Sequence, residues 1–366
     1  MSVKQYFQLF LKLLLHNQYT TMTQKPILVL KFGTASITTP TEDLNEDIIQ
    51  DICSQVAHLH TQYNMVLVSS GAVAAGKKLL KNFSGELTER KAAAAIGNPL
   101  LLNKYAQYFA PHGIAIAQSL CERHHFSNRN QFLQLQRTYQ ELWRNNIIPI
   151  ANENDVVSNL ELKFSDNDEL ATLIAVGFGA DLLLFSTSVP GVLDGDGKVI
   201  SEIKIIDANI LGLAKKEKSA VGLGGMTSKL TFARLATQMG IKAVIFGMNV
   251  QNAILKAVDG KIGTVCYPQE CNISARNKWL ASGSLISGKL QIDAGAAQAI
   301  AGRRSLLAVG VVQVLRHFEA GEVFEILDEQ NEPLAVAKSR IDSHQLVGDA
   351  KVQNLEIAHA DDIVLI

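Results

Sequence analysis

The chain has 366 residues, of which 47% are hydrophobic and 19% are charged, a balance typical of a soluble globular protein long enough for a sizeable core and two domains. The formal net charge of −1 at pH 7 provides no overall attraction to nucleic acids or to anionic membranes. The four cysteines form no Cys-x-x-Cys pair and have no histidine at zinc-site spacing, so we expect reduced thiols in a cytoplasmic protein and no metal site built from them.

Residues 1–24 differ from the rest of the chain. The string YFQLFLKLLL is apolar, but Lys12 interrupts it, it is too short to span a bilayer, and no small-residue cleavage site follows. An amphipathic helix at a membrane surface is a second interpretation, which the scarcity of positive charge weakens. We favour a third interpretation, in which the working protein begins near Met22 and residues 1–24 are a dispensable extension.

From Pro26 onward, short continuous apolar segments alternate with segments of helical length. The predicted strands are 27–31, 65–70, 114–120, 147–151, 181–187 and 243–247, and the predicted helices are 45–60, 90–109, 130–144, 168–178 and 227–239. Continuous apolar strands are typical of parallel sheets covered on both faces. The order predicts a three-layer αβα sandwich with a mainly parallel sheet, whose ligands gather beyond the carboxyl ends of the strands. Residues 191–200 carry a turn signal and predict a hairpin.

The pattern changes after about Pro268. Short alternating strands such as KLQI, VVQVLRHF and DIVLI follow, separated by polar turns and by one helical segment near 294–301. We therefore predict a small antiparallel β domain over residues 278–366, after a larger domain over residues 25–270.

Polar side chains cluster after the predicted strand at 147–151. The string PIANENDVVSNLELKFSDNDELAT places carboxylates and amides between two apolar segments that must be buried. Charge at the end of a buried strand is costly unless it meets a partner, so the cluster favours a ligand with an ammonium group or a lysine that is held in place. The alternative is a polar loop in which Asp166 or Asn167 only caps the helix that begins near Asp168.

Two other strand ends carry groups that suit an anion. Lys31 closes the first strand and is followed by FGTAS, whose glycine and hydroxyl residues offer donors; the alternative is a lysine that extends its ammonium group to solvent. The second strand ends in SSGAVAAGKK, where Ser69, Ser70 and Gly71 open a helix. A helix N-terminus binds anions through its free N–H groups, although many turns of this composition bind nothing.

A glycine-rich string, VGLGGMTSKLTFARLA, leads into the predicted helix at 227–239. Three glycines precede a threonine, a serine and a lysine: Gly222, Gly224, Gly225, Thr227, Ser228 and Lys229. The string follows the logic of a phosphate-binding loop but lacks the spacing of the Walker A motif. The alternative is a flexible turn.

Together these strings resemble one family, the glutamate 5-kinases of the amino-acid kinase superfamily. The resemblance rests on VLKFGTASIT, VLVSSGAVAAGKK, IIPIANENDVV, LKFSDNDELATLIA and GLGGMTSKLTFARLA, and it covers nearly the whole chain from Lys25 in the same order. The strings NEND, SDNDELA and GGMTSK at these separations are specific. The family's fold is a doubly covered, mainly parallel sheet, and the C-terminal domain is similar to the PUA module that many bacterial members carry.

The resemblance implies transfer of the γ-phosphoryl group of ATP, with Mg²⁺ bridging the phosphates, to the side-chain carboxylate of L-glutamate, which opens proline biosynthesis. Carried over by motif, Lys31 and Lys229 stabilise charge on the transferred group, and Asp168 orients both lysines. The implied glutamate-binding residues are Ser70, Gly71, Asn152, Asp155 and Asn167. The implied ATP-binding residues are Lys31, Gly33, Thr187, Ser188, Leu223, Gly224, Gly225, Met226, Thr227, Ser228 and Lys229, and no residue is implied as a metal ligand.

Position 188 departs from the family pattern. The family usually shows Thr-Asp before a Gly-Leu-Tyr turn beside the nucleotide, whereas this chain has Thr187 and Ser188 before VPGVL. The serine removes a carboxylate from the adenosine side, which weakens the case for nucleotide contacts at 187 and 188 and for a preference for ATP.

The resemblance also implies several partners. These are proline as a feedback inhibitor at a site overlapping that of glutamate, a second copy of the chain in a homodimer or homotetramer, and functional coupling to glutamate-5-semialdehyde dehydrogenase. Two rival functions remain. Another amino-acid or carbamate kinase is disfavoured by the NEND and SDND strings and by the terminal β domain. An RNA-binding module is suggested by the PUA-like domain, but the acidic balance of that segment disfavours contact with a phosphate backbone.

Overall fold

The computed structural model describes residues 25–122, 125–126, 129–157, 167–214, 225–270, 286–320, 322–346 and 355–365, and its first part is an α/β domain. The strands of this domain are β1 (Ile27–Phe32), β2 (Asn64–Ser69), β3 (Ala115–Cys121), β4 (Ile147–Glu153), β5 (Leu182–Thr187), β6 (Glu202–Ile203), β7 (Lys242–Gly247) and β8 (Thr264–Cys266). The helices are α1 (Thr34–Ile37), α2 (Glu46–Leu59), α3 (Ala72–Gly76), α4 (Leu87–Phe109), α5 (Arg129–Arg144), α6 (Asn167–Phe178), α7 (Ala208–Ala214), α8 (Met226–Gln238) and α9 (Ala253–Val258). Strands and helices alternate as the apolar segments predict.

The strands of this domain form one eight-stranded sheet in the order β3-β4-β2-β1-β5-β7-β8-β6. Every neighbouring pair is parallel except β7 and β8, which are antiparallel. All six residues of β1 are buried, and β1 lies between β2 and β5 in the middle of the sheet. The mainly parallel sheet that the sequence predicts is thus confirmed.

Alternate side chains of β1 enter two different apolar cores. Val29 belongs to a cluster that includes Leu170 of α6 and Leu230 of α8. Leu30 belongs to a second cluster that includes Ile52 of α2 and Tyr105 of α4. Successive side chains of a strand point to opposite faces, so the two clusters are the interfaces between the sheet and its two helix layers. The three-layer αβα architecture is confirmed.

Some element bounds differ from the predicted ones. The string FGTAS, predicted only as a loop, includes the first three residues of the short helix α1. Helix α4 begins at Leu87 rather than Arg90, because Glu86 and Glu89 form a capping box that satisfies the first N–H groups. Strand β4 continues to Glu153, two residues beyond the predicted end, which places Asn152 inside the strand.

The predicted hairpin at 191–200 is present as a tight antiparallel turn. Leu193 pairs with Val199 in an antiparallel bridge. Within the turn, an Asp194 carboxylate oxygen accepts from the backbone N–H groups of Asp196 and Lys198 at 2.9 Å each. The turn is therefore held by a local side-chain-to-backbone motif that Asp favours.

The second part of the chain is a separate small β domain. It contains β9 (Ile286–Ile292), α10 (Ala294–Ala301), β10 (Leu306–Leu307), β11 (Val311–Arg316), β12 (Val323–Leu327), β13 (Pro333–Lys338), β14 (Glu356–Ala358) and β15 (Ile363–Leu365). Five strands form a sheet in the order β11-β9-β12-β13-β15, and β10 pairs with β14. All pairs are antiparallel as predicted, except that β12 runs parallel to β9. Strand β9 lies between β11, which is antiparallel to it, and β12, which follows β11 in the chain and runs in the same direction as β9.

Several sequence-based expectations fall on residues outside the described ranges. These are the extension at 1–24, the loop at 158–166 with Asp166, the glycine-rich residues Gly222, Leu223 and Gly224, and Cys271. Within the described ranges, no helix has both the length and the apolar character that crossing a bilayer requires.

Candidate active site

Lys31, Asp168 and Lys229 form a buried ionic cluster at the carboxyl edge of the central strands. Lys31 Nζ lies 2.6 Å from Asp168 Oδ1. Lys229 Nζ donates to Asp168 Oδ2 at 3.0 Å. The exposed fractions of the three residues are 4%, 0% and 5% in chain order. The Asp168 carboxylate therefore links the two lysines, because each of its oxygens faces one ammonium group. The three predicted catalytic residues are in direct contact.

The ionic cluster carries a formal charge of +1 on side chains that are buried from solvent. Burial acts to raise the pKa of the Asp168 carboxyl, but the ammonium groups of Lys31 and Lys229 outweigh it and hold that pKa below its ordinary value. A carboxylate that is ionised and engaged on both oxygens is poorly suited to take up a proton. It is well suited to hold two cations in place, and the net positive charge suits an anionic ligand.

The alternation of side chains along β1 and the positions of the N-termini of α6 and α8 bring these three side chains together. Lys31 lies two residues after Val29 on β1, so it points to the face of the sheet that α6 and α8 cover. Asp168 is the second residue of α6, and Lys229 is the fourth residue of α8. Both helices therefore present their N-terminal turns to the end of β1.

Ser70, Asn152 and Asn167 are joined by hydrogen bonds beside the ionic cluster. Asn167 Nδ2 donates to Ser70 Oγ at 2.9 Å and to Asn152 Oδ1 at 3.0 Å. Ser70 follows β2, Asn152 is the penultimate residue of β4, and Asn167 opens α6 immediately before Asp168. Three of the five predicted glutamate-binding residues thus meet one another next to the ionic cluster.

Gly71, a fourth predicted glutamate-binding residue, has a clear structural role. Its φ of +103° lies in the left-handed region, which glycine adopts without strain. A Cβ at this position would also lie 2.8 Å from Ile37 Cδ1. The turn that carries Ser70 into α3 therefore requires glycine, and a direct contact of Gly71 with substrate stays a prediction.

Asp155, the fifth predicted glutamate-binding residue, lies in the turn that follows β4. It is partly exposed and stands two residues beyond the strand end. This position is at the same edge of the sheet as Asn152, as expected for a residue that reaches a ligand from a loop. Its role toward an ammonium group stays a prediction.

The predicted nucleotide-binding residues near Lys229 form the start of α8. Gly225 is the N-cap residue and makes no side-chain cap, and Met226, Thr227 and Ser228 form the first turn. A helix start without a side-chain cap can present its N–H groups to an anion. Leu223 and Gly224, which were predicted to bind ATP as well, lie outside the described residues.

The other predicted nucleotide-binding residues lie at the ends of β1 and β5. Gly33 follows β1, and a Cβ there would be in ordinary van der Waals contact, at 3.4 Å, with Lys31 Nζ. Thr187 ends β5, and Ser188 is exposed just beyond it. Because β1 and β5 are parallel neighbours, these residues share the edge that carries the ionic cluster.

Three buried polar residues at this edge were not singled out from the sequence. Asn98 of α4 accepts a hydrogen bond from Asn152, Glu153 ends β4, and Glu169 follows Asp168 in α6. Their exposed fractions are 7%, 5% and 2%. The available signal was a polar side chain inside an otherwise apolar helix, as in AAAAIGN, and carboxylates at the two borders of buried elements.

Two protein-family models match this chain. The family model described as the amino acid kinase family matches residues 26–247, which is more than half of the chain. The chain belongs to the amino acid kinase family. The matched range holds β1 to β7 and all three residues of the ionic cluster. A second family model, the PUA domain, matches residues 288–358 in the small β domain.

Curated relatives within the amino acid kinase family carry the name glutamate 5-kinase. One from Dehalococcoides mccartyi is 35% identical over 92% of this chain and 92% of its own length. A second, from Synechococcus elongatus, is 36% identical over 92% of this chain and 99% of its own length. A third, from Vibrio campbellii, is 33% identical over 96% of this chain and 99% of its own length. This member of the family is thus a glutamate 5-kinase homologue along both of its domains. A solved structure of a carbamate kinase from Giardia lamblia bound to AMP-PNP matches 68% of this chain and 100% of its own chain, at 19% sequence identity and a TM-score of 0.48. This similarity is too distant to bear on the reaction.

Proposed function

We propose that the protein transfers the γ-phosphoryl group of ATP to the side-chain carboxylate of L-glutamate, which yields γ-glutamyl 5-phosphate and ADP. The observation that carries this proposal is that two sets of polar groups are linked through consecutive residues of one helix start. Asn167, which joins Ser70 and Asn152, is followed directly by Asp168, which holds Lys31 and Lys229. A polar site for a small amino acid thus adjoins a buried cationic site for phosphate, and the named relatives are glutamate 5-kinases.

The chemistry requires no general base on the protein. A free glutamate side chain has a pKa of about 4.3, so its carboxylate is already ionised at neutral pH. Asp168 is engaged by two lysines and has a lowered pKa, which fits an orienting group and not a proton acceptor. The residues of this site therefore have two tasks, to bind the reactants in line and to offset negative charge.

Charge repulsion is the main obstacle to this reaction. Two unit charges about 4 Å apart repel by about 4 kcal/mol at an effective dielectric constant of about 20. Lys31 and Lys229 supply two positive charges where the transferred group would lie, and burial keeps water from screening them. Their fixed position on Asp168 means that they need no reorganisation as charge moves onto the phosphoryl oxygens.

The site fits a nucleotide that brings its own metal ion. The buried ammonium groups and the uncapped start of α8 suit a polyphosphate. Within the described ranges, no three residues of the types His, Cys, Asp or Glu lie close enough together to hold a metal ion. We assign Mg²⁺ to the phosphates of ATP, where it neutralises charge when bound, and we assign nucleotide contacts to the predicted positions at 187, 188 and 225–229.

The biological setting is part of the same proposal. We propose a cytoplasmic enzyme that performs the first step of proline biosynthesis, is inhibited by proline, forms a homodimer or homotetramer, and is functionally coupled to glutamate-5-semialdehyde dehydrogenase. We also propose a catalytic domain over residues 25–270 and a PUA-like domain over residues 278–366, with residues 1–24 dispensable. The family matches at 26–247 and 288–358 support this division.

A hydroxylamine trapping assay tests the reaction directly. Hydroxylamine captures an acyl phosphate as a hydroxamate, so the protein with ATP, Mg²⁺ and glutamate should produce γ-glutamyl hydroxamate. N-acetylglutamate and carbamate serve as competing acceptors for the rival kinases. Product formation that prefers N-acetylglutamate or carbamate, or no product from any of them, would overturn the assignment to glutamate.

A further inference from the structure

A third amide side chain lies behind the proposed glutamate site. Asn98 of α4 accepts a hydrogen bond through Oδ1 from Asn152 Nδ2 at 2.9 Å. Both side chains are buried, with exposed fractions of 7%. The hydrogen bonds therefore run as one chain of four residues, which we call the amide chain: Asn98, Asn152, Asn167 and Ser70.

The direction of these hydrogen bonds follows from one backbone group. The Glu153 N–H can only donate, and it donates to the Asn152 side chain at 3.0 Å. The Asn152 atom at that contact must therefore be the amide oxygen, which leaves its NH₂ group to face Asn98. Asn98 must then present its own oxygen, and Asn167 must present its NH₂ group to the Asn152 oxygen. The whole amide chain has a single polarity.

This polarity determines what the amide chain offers to a ligand. Asn167 Nδ2 uses both of its hydrogens, one on Ser70 and one on Asn152. Within the described residues, the buried Asn167 Oδ1 has no hydrogen-bond partner, so it remains as an acceptor. Ser70 Oγ accepts from Asn167, which leaves its O–H to donate elsewhere. An acceptor and a donor side by side suit the ammonium and carboxylate groups of an amino acid.

We propose that Asn98 is a positioning residue for substrate, acting through Asn152 to fix the orientation of the Asn167 amide. The proposal rests on the proposed glutamate kinase function. Without the oxygen of Asn98, the Asn152 NH₂ group is buried with no acceptor, a state that costs more than the net gain from an ordinary hydrogen bond. Asn152 then turns away from this position, Asn167 loses its second partner, and the acceptor at Asn167 Oδ1 is no longer held toward the ligand.

The position of Asn98 depends on close packing of two helices. A Cβ on the preceding residue, Gly97, would lie 1.7 Å from the Ala72 carbonyl oxygen of α3. A Cβ on Gly76 of α3 would lie 2.0 Å from the Ala93 carbonyl oxygen of α4. The two glycines let α3, which follows Ser70 and Gly71, approach α4 closely. The same contact therefore places both ends of the amide chain, Ser70 and Asn98.

The test is the Asn98→Leu variant, which keeps a similar volume and removes the acceptor. We expect KM for glutamate to rise about tenfold, equivalent to about 1.4 kcal/mol, with KM for ATP unchanged. We expect kcat to stay within about threefold, because the ionic cluster is untouched. A merely structural role would lower the folded fraction, and hence kcat, at unchanged KM. Leu101→Val, on the same helix and 3% exposed, is the matched control and should alter stability without altering KM.

A double-variant cycle shows whether Asn98 acts through Asn152. The double variant Asn98→Leu with Asn152→Leu should have the glutamate KM of Asn152→Leu alone. Independent, multiplying effects on KM, or an unchanged KM in Asn98→Leu, would overturn the proposal. If Asn98→Leu does not fold, Asn98→Ala tests the same contact with the same expected split between KM and kcat. Hydroxamate formation by the unchanged protein is measured in parallel: its absence defeats the proposed function, whereas an active protein with a KM insensitive to Asn98 defeats only the role of Asn98.

Discussion

Lys31 Nζ and Asp168 Oδ1 lie 2.6 Å apart, and both side chains are almost completely shielded from water. Removing one member of a buried ion pair leaves the other as an uncompensated charge. Because Lys229 binds the second oxygen of the same carboxylate, the three residues depend on one another. Changes at any of them should therefore affect both the charge that the site offers and the geometry in which it is offered.

Lys31→Ala and Lys229→Ala should each lower kcat by about a hundredfold or more, the order observed on loss of one preorganised charge stabiliser. KM for glutamate should change much less, because the amide chain remains. Initial rates at varied glutamate and ATP measure both quantities. Lys78→Ala, at an exposed lysine paired with Asp43, is the control and should leave kcat unaltered. Near-normal turnover in both active-site variants would contradict the assignment of these lysines.

Asp155→Ala should show the opposite kinetic pattern. If Asp155 pairs with the substrate ammonium, its loss removes binding that is present in both the ground state and the transition state. KM for glutamate should then rise strongly, while kcat at saturating glutamate changes less. A variant with normal KM and reduced kcat would remove Asp155 from the binding site and place it with the catalytic groups.

Proline should inhibit in competition with glutamate. It shares the α-carboxylate and the ammonium group of glutamate but lacks the side-chain carboxylate, so it can use Asp155 without approaching the transferred phosphoryl group. We expect Asp155→Asn to weaken proline and glutamate binding together. Proline titrations at low and saturating glutamate provide the measurement. Inhibition that persists undiminished at saturating glutamate would place the proline site elsewhere, and no inhibition at millimolar proline would end the proposal.

Gly97→Ala should destabilise the catalytic domain. The added methyl group would lie 1.7 Å from the Ala72 carbonyl oxygen, so α3 and α4 must separate. Overpacking of this kind costs about 1–3 kcal/mol of unfolding free energy, and more where backbone must move. Gly212→Ala, in α7, is the matched control, because a Cβ at that position would have no atom within 4 Å. Alanine also has a higher helix propensity than glycine. Thermal unfolding of both variants compares them, and equal Tm values would show that the helices tolerate the methyl group.

The buried cysteines should resist thiol reagents. Burial raises the pKa of Cys53 and Cys266 to about 12 and that of Cys121 to about 11. Since the thiolate is the reactive form and these values lie above the assay pH, the native protein at pH 8 should show three slow thiols that become fast in denaturant. Cys271 lies outside the described residues, and Cys271→Ser removes its contribution. Rapid labelling of native Cys271→Ser would show that these thiols are not shielded.

The order and type of the main elements were determined by the sequence alone. Strands such as ILVLK are apolar at every position because both faces of the sheet are covered, and this pattern is visible without any knowledge of partners. The same holds for the polar strings at the strand ends, since parallel strands bring their carboxyl ends to one edge. Lys31, Asp168 and Lys229 were therefore identifiable as candidates from their positions and from family resemblance.

Only the tertiary structure decided which of these groups touch and in which direction they do so. A local pattern reports burial and period, but it does not report which residues of distant elements meet across a layer. The sharing of one Asp168 carboxylate between two lysines depends on how α6 and α8 meet the end of β1. The contact of Asn98 with Asn152, 54 positions apart, depends on the close approach of α3 and α4, which is why the sequence did not reveal it.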